Sequence, residues 1–434
     1  MDSVTMGWIS IFVVFLLLFL GVHVAFALSL VGFLGYVIIG GTGPALSVMG
    51  VVPFGSIAMY ALSVIPLFLL MGNFAFHAGL GSDIFRAMQH LTARIPGGLA
   101  QATVAGCAVF GAVSGSGLAA CAMMSKIAIP EMIKHGYDRK LAIGVVGAAG
   151  PLAQMIPPSI LMVIYGIITD TSIGKLLIAG IIPGIICAIN YMLLIYIRAK
   201  RNPSIAPLFL KKISRKESFL ALKNAWAVGI LAFIIIGGIY SGAFTPTEAG
   251  GIAAFFALAL SLFMKRLSWK GLADSLSDSV KITGMIFLIM VGAYIFGTFL
   301  AISQLPFKVS EFLTTLPVHR FFILAGIMVL YLILGTFLDM IAAMFLTLPI
   351  IFPAIQKLGY DPIWFGVLIV QQAEIALLTP PYGLNLFILK GAVPEASMGE
   401  IIKGVFPFLC VAILTLAIYV VFPQVVLFLP GKMG

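Results

Sequence analysis

Residues 130–158 read PEMIKHGYDRKLAIGVVGAAGPLAQMIPP, and residues 353–381 read PAIQKLGYDPIWFGVLIVQQAEIALLTPP. Set side by side at a constant offset of 223, they agree at 8 of 29 positions. Pro130, Lys134, Gly136, Tyr137, Asp138, Ala153, Pro157 and Pro158 meet Pro353, Lys357, Gly359, Tyr360, Asp361, Ala376, Pro380 and Pro381. Ordinary residue frequencies would give roughly two such agreements. The chain therefore carries an internal repeat. Each copy ends in a Pro-Pro pair inside an apolar run. A proline removes an N–H, clashes with the preceding turn and favours starting a new helix. Each copy is predicted to hold a helix split in two.

The setting of these breaks is a membrane. Of 434 residues, 62% are hydrophobic and 9% charged, against about 45–50% and about 25% in soluble domains. A soluble enzyme, a nucleic-acid binder and a disordered chain are poor readings of this composition. Apolar stretches of about 20 residues recur, each able to cross a ~30 Å hydrocarbon core, whereas an outer-membrane barrel would show alternating segments of about 10. Crossings are expected at 6–22, 23–41, 60–79, 140–169, 173–198, 226–243, 246–264, 272–302, 362–392 and 399–429. Of the 25 Lys and Arg residues, 11 lie in loops 198–223 and 265–270. These loops are two crossings apart and mark one cytoplasmic face. Cys107, Cys121, Cys187 and Cys410 lie in apolar runs without metal or redox spacing. The start MDSVTMGW lacks a signal peptide's basic region, so the first run is expected to be retained. No phosphate-binding loop for ATP is found.

Residues 96–130 are apolar but interrupted by Ser114-Gly115-Ser116-Gly117. Both flanks are basic, through Arg86 and Arg94 before and Lys134, Arg139 and Lys140 after. The segment therefore reads as a re-entrant hairpin. The repeat offset places a second hairpin at 321–353, its tip near Gly335-Thr336-Phe337-Leu338-Asp339. Five crossings separate span 60–79 from its counterpart 272–302, and hairpins add none. An odd count inverts one copy relative to the other, an architecture common in secondary transporters. Ten crossings put both termini outside. The expected fold is an all-α polytopic membrane protein with an inverted-topology repeat, two re-entrant hairpins and two broken transmembrane helices.

Unwound backbone in a bilayer survives only where protein or a wet cavity satisfies it. Each break can face the hairpin tip of its own repeat. Half-helix C-termini suit a bare cation and half-helix N-termini suit a carboxylate. Two cation sites with a substrate between them follow as the expectation. The competing readings are structural: a small-residue helix contact for Ser114–Gly117, simple kinks for the proline pairs, and a helix cap at a wet tip for Asp339, otherwise an expensive residue in an apolar run. Gln154, Gln371, Gln372 and Glu374 line a water path or satisfy freed backbone. His23 and His77 read as packing residues, and Lys281 and Lys390 as snorkelling ones. Segments 42–59, 80–95 and 303–318 read as interfacial helices or connectors.

With these residues in view, the chain resembles the large membrane subunit of the tripartite ATP-independent periplasmic (TRAP) transporters over nearly its whole length. The resemblance rests on Pro66-Leu67-Phe68 with Met71-Gly72, Ser114-Gly115-Ser116-Gly117, Ile156-Pro157-Pro158-Ser159, Phe244-Thr245-Pro246-Thr247-Glu248-Ala249 and Leu378-Thr379-Pro380-Pro381-Tyr382-Gly383-Leu384-Asn385, in this order. His23 stands where a proline is common, and Pro151 and Gln154 stand in a break usually richer in glycine. The resemblance implies an elevator-type transporter of the ion-transporter-superfamily kind, in a bacterial inner membrane, with periplasmic termini. It implies sodium-driven uptake of small carboxylates such as C4-dicarboxylates or sialic acid, with no cofactor. It also implies a small four-span membrane subunit and a periplasmic solute-binding protein as partners. Carried over, Ser114, Gly115, Ser116, Gly117, Gly150 and Pro157 form one sodium site, and Asp339, Thr379, Pro380 and Gly383 the other. Ser116, Gln154, Ser159, Gln372 and Asn385 are the expected substrate contacts. Residues 1–79 and 187–318 are scaffold spans by this analogy, 80–186 and 319–409 the two transport repeats, and 410–434 the end of the last span. A stand-alone carrier without a binding protein is the alternative. An intramembrane enzyme lacks a metal set or an activated nucleophile, and a channel suits two-sided hairpins poorly.

Overall fold

A computed structural model describes residues 2–207 and 215–433. Lys211 and Lys212 of the basic loop fall outside them. The described residues form helices and no strands.

Both expected hairpins are present. The first consists of Gly98–Ser114 and Gly117–Lys134, the second of Arg320–Phe337 and Met340–Lys357. The feet of each hairpin meet. The Leu99 N–H donates to the Tyr137 hydroxyl at 3.2 Å. In the second copy the Arg320 guanidinium donates to the Leu358 carbonyl at 3.4 Å and lies 5.3 Å from the Tyr360 ring. Each hairpin thus enters and leaves at one end. Tyr137 and Tyr360 are repeat counterparts, and they do the same work.

The Gly-Tyr-Asp triplet is a turn between each hairpin and its broken helix. Gly136 and Gly359 both take left-handed backbone, at φ +77° and +75°, a region other residues enter with strain. Asp138 accepts the Leu141 N–H at 2.9 Å. Asp361 accepts the N–H groups of Ile363 and Trp364 at 2.8 and 3.0 Å. The aspartates satisfy donors that the first helical turn leaves open. The repeat is clearest in sequence here because the turn is built from local geometry.

The broken helices follow. The first runs Arg139–Ala149, a short turn Leu152–Met155, then Ile160–Thr169, and its halves bend by 43°. The second runs Pro362–Leu378 and Leu384–Ala392. The Pro157–Pro158 and Pro380–Pro381 peptide bonds are both cis.

A 35-residue helix, Trp269–Ser303, packs along Val24–Gly40. It is about 52 Å long at 1.5 Å per residue. Asn73 donates to Ser279 at 2.8 Å and ties this long helix to Val64–His77. An ion pair between Arg266 and Asp83 fastens loop 265–270 to the amphipathic helix Leu80–Thr92. Pro246–Phe263 begins with a reciprocal capping box between Thr245 and Glu248.

Some expectations are revised. Among the described residues seven helices are long and apolar enough to cross a membrane, or up to nine counting two bent pairs, and two of the seven are the second hairpin's legs. The ten-crossing count therefore includes shorter pieces. The run 6–41 divides where expected, and His23, read as a packing residue, caps the second piece by accepting the Ala25 N–H at 3.4 Å. Ser3–Phe19 and Val24–Gly40 have 17 residues each, about 25 Å of helix. Lys390, read as a snorkelling residue, has specific partners at its span end. Its ammonium donates to the Pro394 and Ala396 carbonyls at 2.8 and 2.9 Å, closing the end of the second half-helix.

The triplet gives a direct test. Asp138→Ala and Asp361→Ala should each lower unfolding stability in detergent by about 1 kcal/mol, whereas Glu400→Ala, on an exposed helix start, should change it little. Unaltered stability in both aspartate variants would remove their role in the turn.

Candidate functional site

Each hairpin tip lies against the break of its own repeat. At the first tip Gly115 has φ +61°, and a side-chain carbon there would collide with the Pro158 carbonyl oxygen. A side-chain carbon on Gly117 would come within 2.7 Å of the Gln154 amide nitrogen, and one on Gly150 within 2.6 Å of Cys121 Cβ. Backbone therefore touches backbone across tip and break. The Ser114 hydroxyl is buried with no hydrogen-bond partner, and so is the Gln154 side-chain carbonyl oxygen. At the second tip the Phe337 and Tyr382 rings lie 5.4 Å apart, and Gly335 faces Ala376. Thr379 donates its hydroxyl to the Ile375 carbonyl at 2.7 Å. Its oxygen lone pairs remain open to a further partner.

Between the two tips lies a cavity of about 300 Å³. Gly115, Ser116 and Gln154 line it from the first repeat, and Gly335, Asp339, Ala373, Ala376 and Leu377 from the second. Four helices present their first residues to it: Gly117–Lys134 through Leu118 and Ala119, Ile160–Thr169 through Ile160, Met340–Lys357 through Met340 and Ile341, and Leu384–Ala392 through Leu384. Helix starts carry open N–H groups and a partial positive charge. No Lys, Arg or His lines the cavity among the described residues, and Asp339 is its one charged side chain. The far wall is Leu69, Ile282, Met285 and Ile286, from Val64–His77 and the long helix. That wall is apolar. Every polar group at the cavity comes from the hairpins and broken helices.

The caps divide the work at these helix starts. Ser116 accepts the Ala119 N–H at 3.3 Å, Ser159 the Met162 N–H at 3.2 Å, and Asp339 the Ile341 N–H at 2.9 Å. Each cap satisfies one donor and leaves others of the first turn open.

The expected residues separate into groups. Gly115, Ser116, Gln154 and Asp339 meet at the cavity. Gly117 and Gly150 form the tip–break contact behind it, Ser114 backs onto Gly72, Pro157 lies in the first break, and Thr379, Pro380 and Gly383 form the second break. Ser159, Gln372 and Asn385 do not line the cavity. Ser159 is fully buried as a cap, and Gln372 is buried with its carbonyl oxygen unpartnered. Asn385 donates to the Gly147 carbonyl at 3.0 Å. It joins the second break to the first, satisfying backbone that the first break frees. Gln371 and Glu374 bond to each other at 3.2 Å rather than to backbone. Sequence reasoning missed Asn73 and the apolar wall. Asn73 in an apolar run was the available signal; Ile282, Met285 and Ile286 carried none, being ordinary span residues.

Residues 11–425 match the family model described as "Tripartite ATP-independent periplasmic transporter, DctM component". The chain is 38% identical over 379 residues to the C4-dicarboxylate TRAP transporter large permease protein DctM of Pseudomonas aeruginosa, covering 86% of this chain and 87% of that one. It is 33% identical over 425 residues to the sialic acid TRAP transporter large permease protein SiaM of Vibrio cholerae, covering 98% and 97%. Its fold is similar to that of the YdaH transporter of Alcanivorax borkumensis, with a TM-score of 0.58 at 14% identity, over 88% of this chain and 90% of that one. The chain therefore belongs to the DctM family, the large permease component of the tripartite ATP-independent periplasmic transporters.

Proposed function

We propose that the chain imports small carboxylates, driven by sodium, by elevator motion of its hairpins and broken helices. The observation that carries this reading is the convergence of four helix starts on one cavity that has no basic side chain. Such a cavity favours an anion by oriented N–H groups alone. Ser116 and Gln154 offer the substrate polar contacts, while Ser159 and Asn385 hold the helix starts and breaks in place.

Sodium enters through charge balance. A substrate carboxylate beside Asp339 puts two negative charges in a poorly hydrated space, and like charges there repel strongly. A cation at the second tip, on Asp339, Thr379 and the Pro380 carbonyl, relieves that repulsion. A second cation at the first tip takes the open oxygens of Ser114 and Gln154, with the Pro158 carbonyl close by. Cation and substrate then each raise the other's affinity by the same factor, which is the requirement for symport.

The elevator follows from ownership of the polar groups. All of them belong to segments 80–186 and 319–409, and the facing wall from 1–79 and 187–318 is apolar. A substrate held only by the first body can travel with it along the second. By family, the proposal includes a four-span membrane subunit and a periplasmic solute-binding protein, an inner-membrane location and periplasmic termini.

The test is uptake into liposomes holding the chain with its small subunit, with the binding protein outside. C4-dicarboxylate and sialic acid should each be offered under an inward sodium gradient and under choline. Sodium-dependent accumulation of a carboxylate is expected; uptake indifferent to sodium would overturn the coupling. Asp339→Asn should reduce sodium-driven uptake at least tenfold with membrane insertion intact, and near wild-type uptake would remove Asp339 from the site. Gly115→Ala should also abolish uptake, because its side chain meets the Pro158 carbonyl at a left-handed position. Retained activity in that variant would mean the first tip need not close on its break.

A further inference from the structure

Glu374 lies in Pro362–Leu378 but does not line the cavity that Ala373, Ala376 and Leu377 line. At 100° per residue, Gln371 and Glu374 lie about 60° apart on one face, and the Cys187 contact at 3.8 Å sets Glu374 against Ile181–Arg201. There Cys187 and Tyr191 sit one turn apart on one face. All four side chains are fully buried. None of the ion pairs among the described residues includes Glu374.

The hydrogen bonding at this cluster is lopsided. One carboxylate oxygen of Glu374, Oε2, receives the Gln371 amide N–H at 3.2 Å and the Cys187 thiol at 3.8 Å. The other oxygen, Oε1, receives nothing. The Gln371 carbonyl oxygen and the Tyr191 hydroxyl are also buried and unpartnered. Buried polar atoms are nearly always satisfied, so three orphans around one carboxylate need an account. The Gln371–Glu374 bond joins the two groups that carry two of them, each orphan oxygen sharing its terminal carbon with a bonded atom. All three are oxygens, the donors that hard cations prefer. The cluster brings one negative charge, which one monovalent cation balances. An ionised carboxylate in a membrane interior without such a partner is expensive.

We propose that Glu374, Gln371 and Tyr191 form a binding site for one small monovalent cation, separate from both hairpin tips. The site joins Pro362–Leu378, whose C-terminal end forms the second break, to Ile181–Arg201. Occupancy therefore bears on how firmly that broken helix is held. The inference stands on the buried cluster and does not depend on the sodium sites proposed at the tips.

The experiment is saturation binding of radioactive sodium to the purified full chain in detergent, with sodium the only cation varied against choline. Wild type, Glu374→Gln, Tyr191→Phe and Asp339→Asn are compared, each checked for a single gel-filtration peak. Glu374→Gln should bind one cation fewer per chain than wild type. Tyr191→Phe, which removes only a hydroxyl, should weaken one class of site several-fold without changing the others. If Glu374→Gln binds as many cations as wild type, the carboxyl holds its own proton and the proposal is overturned. An unchanged binding curve in Tyr191→Phe overturns the assignment of the hydroxyl, even where Glu374→Gln fails to fold. Loss of a cation in Asp339→Asn alone, with none lost in Glu374→Gln, overturns this site and leaves the tip sites standing. Loss in Glu374→Gln alone supports this site and removes the tip site at Asp339.

Discussion

Broken backbone inside a hydrocarbon layer must find partners within the protein, and most of this structure is arranged around that constraint. The two Pro-Pro breaks free carbonyl and N–H groups within the helical bundle. Asn385, from the second break, donates to the Gly147 carbonyl freed by the first. Ser159 and Gly383 begin the second half-helices, the serine as a side-chain cap. Glycines at the first tip let its backbone come directly against the first break. The hairpins are there because something has to cover each break. The breaks persist because something covers them.

The same constraint creates the site's electrostatics. A helix broken in the middle contributes an inward-facing start as well as an inward-facing end, and a re-entrant hairpin contributes another pair. With two of each, four starts meet at one cavity. The charges at these helix ends are backbone charges, spread over N–H and carbonyl groups. Asp339 adds a full negative charge to this setting. It is both a helix cap and a carboxylate lining the cavity. The structural reading of that residue and the proposed functional one are compatible, since one oxygen caps the helix and the carboxylate still lines the space between the tips.

Much of this was legible in the residue order, for local reasons. The Gly-Tyr-Asp triplets announced two identical turns because a left-handed glycine and a capping aspartate act over four residues. Thr245 and Glu248 announced a helix start for the same reason. The Ser114–Gly117 and Pro-Pro signals named the tips and breaks, and the basic flanks indicated a hairpin that the Leu99–Tyr137 contact bears out. What went unread depends on rotation and on distant partners. Ser159, Gln372 and Asn385 sit beside the breaks in sequence, yet they point into helix contacts. Lys390 bonds to the Pro394 and Ala396 carbonyls of the segment that follows its helix.

The sequence by itself determined that this is a helical membrane protein with a repeated hairpin and broken helix, because hydropathy, proline chemistry and capping act over a few residues. Only the tertiary structure decided which polar side chains share the central cavity and which serve the packing. It also decided that the cavity's opposite wall would be apolar, and that Glu374 would be buried against Cys187 and Tyr191, 187 and 183 positions away. The physical reason is that a side chain's facing is set by how its helix is rotated against neighbours distant in the chain. The period of a single apolar helix buried on nearly every side does not encode that rotation.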